Sequence, residues 1–204
     1  WKEKYTLINP HAFNETMDVM IEYLADNGFN AFVLEYRVYP HAFPLPLLDA
    51  RRAVRFVRAN SEKFGINPDK VAVMGSSAGG HLAALVSTYT DEVNGEGLDE
   101  IDNNPYLPNA TILCYPVIHH PVDNDIGHWD SFYNFIGDRD KMEKFSPDLL
   151  VTENTPTAFI WHTSEDNGVS VINSYKYAEA LKLHSVPHEL HVFPYGGHGY
   201  GLGR

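Results

Sequence analysis

The sequence predicts an α/β fold, a mostly parallel sheet with helices on both faces. Three observations carry this. Short apolar runs of strand type recur at residues 5–8, 31–36, 71–74, 110–115, 158–161 and 188–193. Helical patterns lie between most successive runs, giving the connection length that a right-handed crossover between parallel strands requires. Most of the runs are apolar throughout rather than alternating, as expected for strands covered on both faces.

The elements follow in order. After the 5–8 strand, Asn14 is placed to cap a helix. Met17, Met20, Ile21 and Leu24 recur at helical spacing, and Gly28 ends it. Residues 31–36 form a strand, and a proline-bearing loop spans 39–46. A long helix then runs to about Phe64, with Gly65 closing it. Ala50, Ala53, Val54 and Val57 are expected on its core side. Arg51, Arg52, Arg55 and Arg58 are expected to face outward. Such a row can hold an anion, but a solvated helix face is its ordinary meaning. The 71–74 strand feeds a helix in which Ala78, Leu82, Leu85 and Val86 share a face. Residues 90–109, rich in Asp, Glu and Asn, read as a loop. Strand 110–115 is followed by an irregular stretch at 119–127 and a short helix at 129–136. After strand 158–161, Ser170 is expected to cap a helix whose Val171, Tyr175 and Ala178 share a face. The last strand, 188–193, runs into Gly196-Gly197-His198-Gly199. No internal repeat or low-complexity tract is visible.

With 204 residues, 44% of them hydrophobic, the chain can build one domain with a substantial core. That domain is expected to span 1–204, with excursions at about 90–109 and 117–137. The net charge of −12 argues against nucleic acid or an anionic membrane surface as partner. No apolar run is long enough to span a membrane. Cys114 is the sole cysteine, so no internal disulfide is possible; its apolar run makes it read as a buried, inert thiol. The chain starts at Trp1 and stops at Arg204 without the usual terminal signals. Terminal elements are therefore expected to lie outside it. The compartment reads as cytoplasmic, with secretion left open for the same reason, and the oligomeric state stays undetermined.

The chemistry centres on Gly75-Ser76-Ser77-Ala78-Gly79, a G-x-S-x-G pattern between a strand and a helix. A strand that turns sharply into a helix exposes its middle residue and needs small neighbours. The helix start also points N–H groups at negative charge forming beside the serine. The plainer alternative is a glycine-rich turn whose serine caps the helix. A serine nucleophile needs a base, and the base needs an orienting group. On such a sheet these follow strand ends in the order Ser, acid, His. Of eleven histidines, only His198 lies directly after the last strand in a glycine-freed loop. Glu165 and Asp166 compete as the acid. Asp166 is preferred because it directly precedes Asn-Gly and the next helix, where a side chain can turn back to the sheet edge. His119, His120, Asp123, Asp125 and His128 suggest a metal cluster, but no pair has ligand spacing on one helix face. Adjacent His119 and His120 are expected to point apart on an extended chain. No metal and no organic cofactor is therefore expected.

These motifs resemble a known family. Residues 29–38 (FNAFVLEYRV), 75–83 (GSSAGGHLA), 163–169 (TSEDNGV) and 197–202 (GHGYGL) are similar to those of α/β-hydrolases in the bacterial acetyl-esterase and xylan-esterase branch, related to the hormone-sensitive-lipase-like esterases. The resemblance covers about residues 14–202. It implies the α/β-hydrolase fold with Ser77 as nucleophile, Asp166 as orienting acid and His198 as base. It also implies a glycine-rich loop after the first strand that lends an oxyanion-hole N–H. Here that strand runs into Asn9-Pro10-His11-Ala12-Phe13, without glycine.

The expected function is a serine carboxylesterase acting on short-chain esters, acetyl above all, of small molecules or carbohydrates such as xylan.

 The resemblance supplies the acyl and sugar preference; the triad supplies the reaction. Its oxyanion donors would be the Ala78 N–H and one from the loop near His11 and Ala12. Trp129 and Tyr133 are placed to stack on a sugar, although core packing explains them equally well. Two alternatives remain at this point: a serine peptidase of the prolyl-oligopeptidase type, and a non-catalytic ligand-binding protein on the hydrolase fold.

Overall fold

The computed structural model describes residues 5–7, 15–120 and 129–199. Two strands open the chain, β1 (Tyr5–Leu7) and β2 (Ala31–Val33), with α1 (Glu15–Asp26) between them. They pair in parallel, Tyr5 opposite Ala31. Then come α2 (Leu45–Ala59), α3 (Ser61–Phe64), β3 (Ala72–Ser76), α4 (Ala78–Thr88) and β4 (Ala110–Cys114). The rest is α5 (Trp129–Ile136), β5 (Thr157–Thr163), α6 (Ile172–Leu183) and β6 (His188–Phe193). Strands β3, β4, β5 and β6 form a parallel sheet in that order. Because every strand points the same way, the loops after β3, β5 and β6 gather at one edge, where ligands of such sheets sit.

The core has two clusters. One joins Leu47, Val54 and Val57 of α2 to Leu82, Leu85 and Val86 of α4 and Phe132 of α5. The other packs Ala84 of α4 and Tyr177 and Leu181 of α6 with Leu113 and Ile160 of the sheet. Helix α4, buried from Gly80 to Thr88, lends side chains to both clusters, whereas α2 and α6 each bury one face, and this burial holds the layers together.

Several elements depart from the sequence reading. Strand β2 ends at Val33 rather than Tyr36, because its partner among the described residues is the three-residue β1. Strand β5 extends to Thr163, because β6 continues alongside it to Phe193 after β4 has ended opposite Trp161. The long second helix breaks at Asn60, whose side-chain amide donates to the Phe56 carbonyl at 2.8 Å. Helix α6 starts at Ile172, so Val171 lies outside its periodicity. Its buried face is Asn173, Ser174, Tyr177, Ala178 and Leu181, while Tyr175 is 42% exposed. The Ser170 hydroxyl reaches the Ile172 N–H only at 3.4 Å, too long for a strong cap. Ala78 lies exposed at the start of α4 rather than on its core face.

The largest correction concerns the arginines of α2. Arg51, Arg55 and Arg58 are buried, not solvated. Arg51 donates to the Tyr89 carbonyl at 2.6 Å and to Glu96 at 2.8 Å, with its guanidinium 4.0 Å from the Tyr106 ring centroid. Arg58 donates to the Pro105 and Leu107 carbonyls at 2.6 and 2.7 Å. Arg55 donates to the Asn104 carbonyl at 3.1 Å, and Arg52 pairs with Asp99 and Asp102. The 90–109 segment folds back over this helix, and the guanidinium forks satisfy the carbonyls it would otherwise bury unpaired.

His81 gives the fold a pH dependence. It is buried in α4 between the Phe132 and Phe135 rings, and its Nε2–H donates to the Phe145 carbonyl at 2.8 Å. Burial pushes its pKa down to about 4, against a smaller upward pull from that carbonyl. The unfolded chain binds the proton near pH 6.5, whereas the folded chain resists it until about 4. Stability is therefore complete above pH 6.5 and is lost as pH falls towards 4. Between pH 7 and 4.5 this loss is about 2–3 kcal/mol. Urea unfolding at both pH values is expected to show a smaller difference for His81→Phe than for the wild type. An equal difference in the two proteins would contradict this account of His81.

Candidate active site

Ser77 occupies the turn between β3 and α4 with φ 54° and ψ −121°, a conformation that L-residues avoid. Such a residue costs about 1–3 kcal/mol and persists only where its surroundings hold it. Its N–H donates to the Cys114 carbonyl at 3.0 Å, and its carbonyl accepts from Val117 at 3.1 Å and His81 at 3.2 Å. Glycines make the turn possible. A Cβ on Gly75 would overlap the Gly79 carbonyl oxygen, and one on Gly80 would lie 2.8 Å from Pro116 Cβ. Gly75→Ala is thus expected to destabilise the fold by about 3 kcal/mol or more, because backbone rather than a pliable side chain is in the way. A urea midpoint equal to the wild type's would refute that crowding.

His198 reaches this serine from the loop after β6. Its Nε2 lies 2.9 Å from Ser77 Oγ, and its Nδ1 lies 2.8 Å from Asp166 Oδ2. The carboxylate can only accept, so Nδ1 carries the proton and Nε2 is left to accept from the serine hydroxyl. The loop is held by Thr163, whose hydroxyl donates to the Gly196 carbonyl at 2.8 Å. Beneath the imidazole lies Gly168, where a Cβ would come within 2.6 Å of His198 Cβ. The Tyr115 ring meets the imidazole edge-on, centroids 5.1 Å apart.

Of the two candidate acids, Asp166 is buried beside His198, while Glu165 is exposed. Asp166 Oδ1 accepts the Gly168 and Val169 N–H groups, both at 2.8 Å. Burial acts to raise its pKa, but hydrogen bonds from His198, Val169 and Gly168 outweigh it, and the net shift is downward. The group is therefore a carboxylate at neutral pH.

The structure thus brings together Ser77, Asp166 and His198. Ala78 begins α4, so its N–H is one of those a first helical turn leaves without an intrahelical partner. His11 and Ala12 lie outside the described residues, as do Asp123, Asp125 and His128. His119 and His120 do not point apart. The backbone bends at His119, and their rings lie 4.4 Å apart. His119 Nδ1 lies 2.7 Å from Asp148, and His120 Nδ1 lies 2.9 Å from the Ser146 hydroxyl. Among the described residues, no group of three or more His, Cys, Asp or Glu is placed to hold a metal ion. Cys114 is free and buried, and burial raises its pKa, so it remains a thiol. No described helix is long and apolar enough to cross a membrane. The sequence reading missed Tyr115 and also His162, a buried histidine beside Asp166.

The chain is similar to several known proteins. The chain is 38% identical over 187 residues to endo-1,4-beta-xylanase B of Butyrivibrio fibrisolvens, covering 85% of this chain and 28% of that protein. It is 33% identical over 192 residues to an acetylxylan esterase of Xylanibacter ruminicola, covering 89% and 36% respectively. The chain therefore spans only about a third of the length of these curated relatives. Among solved structures, an acetyl ester-xyloside bifunctional hydrolase from Caldicellulosiruptor lactoaceticus superposes with a TM-score of 0.83 at 43% identity, covering 91% of this chain and 68% of that one. The BD-FAE family model matches residues 7–181. With this match across most of its length, the chain belongs to the BD-FAE family and has the α/β-hydrolase fold.

Proposed function

We propose that the chain is a serine carboxylesterase that removes short acyl groups, acetyl above all, from sugars or xylan. One observation carries the reading: a single imidazole lies within hydrogen-bond distance of both the Ser77 hydroxyl and the Asp166 carboxylate. Ser77 Oγ attacks the ester carbonyl while His198 Nε2 takes its proton. Asp166 holds the ring in the tautomer this needs and stabilises the imidazolium that forms. His198 then gives the proton to the leaving alcohol. Water attacks the acyl-serine by the same steps in reverse and releases the acid. The Ala78 N–H and a second donor from the loop near His11 and Ala12 stabilise the oxyanion. No metal or organic cofactor enters these steps.

The substrate class is supported by the relatives named acetylxylan esterase and acetyl ester-xyloside hydrolase. The xylanase name gives no support for glycosidic cleavage at this site. That chemistry uses two carboxyl groups flanking the scissile bond, whereas Asp166 is buried and turned onto a histidine and two backbone amides. The protein is expected to hydrolyse p-nitrophenyl acetate faster than p-nitrophenyl decanoate and to release acetate from acetylated xylo-oligosaccharides. Cleavage of a proline anilide without either ester activity would favour a peptidase instead.

A further inference from the structure

His162 sits at the end of β5, fully buried, four residues before Asp166. Its Nε2 lies 2.9 Å from the Val169 carbonyl and 3.3 Å from Asp166 Oδ2. Both neighbours can only accept, so Nε2 carries the proton. Its Nδ1 lies 2.8 Å from the Ser174 hydroxyl, which is left to donate to it. Ser174 is itself buried on α6, next to Asn173, whose side-chain oxygen accepts the Ile118 and His119 N–H groups at 2.9 and 3.0 Å.

We propose that His162 is a positioning residue for Asp166, steadying the carboxylate oxygen that orients His198. This rests on the esterase reading above. A carboxylate has about four acceptor positions. The Gly168 and Val169 N–H groups face Oδ1 and the His198 Nδ1–H faces Oδ2, while His162 Nε2, whose N–H donates to the Val169 carbonyl, lies 3.3 Å from that same Oδ2. Rotation of the carboxylate would break contacts on both oxygens. The His162 N–H also draws charge from the oxygen that faces His198. Without it the carboxylate holds the His198 imidazolium more strongly, and the base gives up its proton less readily. Burial lowers the His162 pKa, in keeping with a neutral ring that keeps one N–H and one acceptor.

The test compares His162→Asn with His162→Gln, assayed on p-nitrophenyl acetate across pH. Asparagine reaches Ser174 but stops short of Asp166; glutamine places an amide N–H near the Nε2 position. His162→Asn is expected to lower kcat by about tenfold, at the lower end of what outer partners of functional groups cost, with KM within about twofold. The acid limb of kcat/KM is expected to move up by about half a pH unit, because that limb reports the free enzyme's base. His162→Gln is expected to restore both. Ser174→Ala, which unties the far side of the ring, is expected to move the limb the same way by less. Wild-type kcat and acid limb in His162→Asn would overturn the proposal, as would a His162→Gln no better than His162→Asn. Should either variant fail to fold, an unshifted limb in Ser174→Ala overturns it and a shifted one supports it. Labelling of the wild type by a fluorophosphonate, run alongside, keeps the two readings separate. A wild type that does not label sinks the esterase itself, whereas a labelled wild type with silent variants sinks only the role of His162.

Discussion

Ser77→Ala and His198→Ala are each expected to lower kcat on p-nitrophenyl acetate by about 10⁶-fold, with KM little changed. The reason is the single hydrogen-bonded line from Ser77 Oγ to His198 Nε2 at 2.9 Å. A hydroxyl without its base is a weak nucleophile, and a base without its nucleophile has nothing to activate. The two groups therefore act as one unit, and the double variant is expected to be no worse than either single one. Alanine at position 77 also tests the strained turn. A β-carbon remains, so the φ of 54° is no easier to adopt, and the variant is expected to fold with about wild-type stability. Loss of activity with retained folding, read from urea midpoints beside turnover, assigns the effect to chemistry. Residual activity within tenfold of the wild type in either variant would contradict the assignment.

Asp166→Asn is expected to lower kcat by about 10⁴-fold through the wrong imidazole tautomer. The surroundings dictate which way the amide turns. The Gly168 and Val169 N–H groups require an acceptor at the Oδ1 position, so the asparagine oxygen must sit there. Its NH₂ then takes the Oδ2 position and donates towards His198 Nδ1. The imidazole must accept at Nδ1 and carry its proton on Nε2, where it can no longer take one from Ser77. Glu165→Gln is expected to remain close to wild type, because that side chain is exposed. Turnover numbers for the two variants check this. An impaired Glu165→Gln beside a near-normal Asp166→Asn would reverse the choice of acid.

The parts of this site legible in the sequence are those whose physics is local. Gly75 and Gly79 stand where strand and helix backbones nearly touch, so the turn at Ser77 can be read from residue sizes alone. Strand β6 and helix α5 appear with the bounds their patterns suggest, and His198 follows β6 among glycines. The arginines of α2 were not legible in the same way. Helical periodicity gives the face they share, but only the fold shows that residues 89–109 return to cover it. The acidic and carbonyl-rich segment downstream was the available signal. The phase of α6 is not legible from Ser170, because Val171 precedes the helix and the buried face is Asn173, Ser174, Tyr177, Ala178 and Leu181. His162 is not legible locally, because the apolar run ends at Trp161 and its partners come from Val169, Ser174 and Asp166, which only the turn after β5 brings together.

The most direct test is reaction of the wild-type protein with a fluorophosphonate at neutral pH, followed by intact-mass measurement and tandem mass spectrometry. The account predicts one adduct per chain, carried by Ser77 and not by the adjacent Ser76, absent from Ser77→Ala and formed far more slowly in His198→Ala. No adduct, or an adduct on another residue, would contradict it.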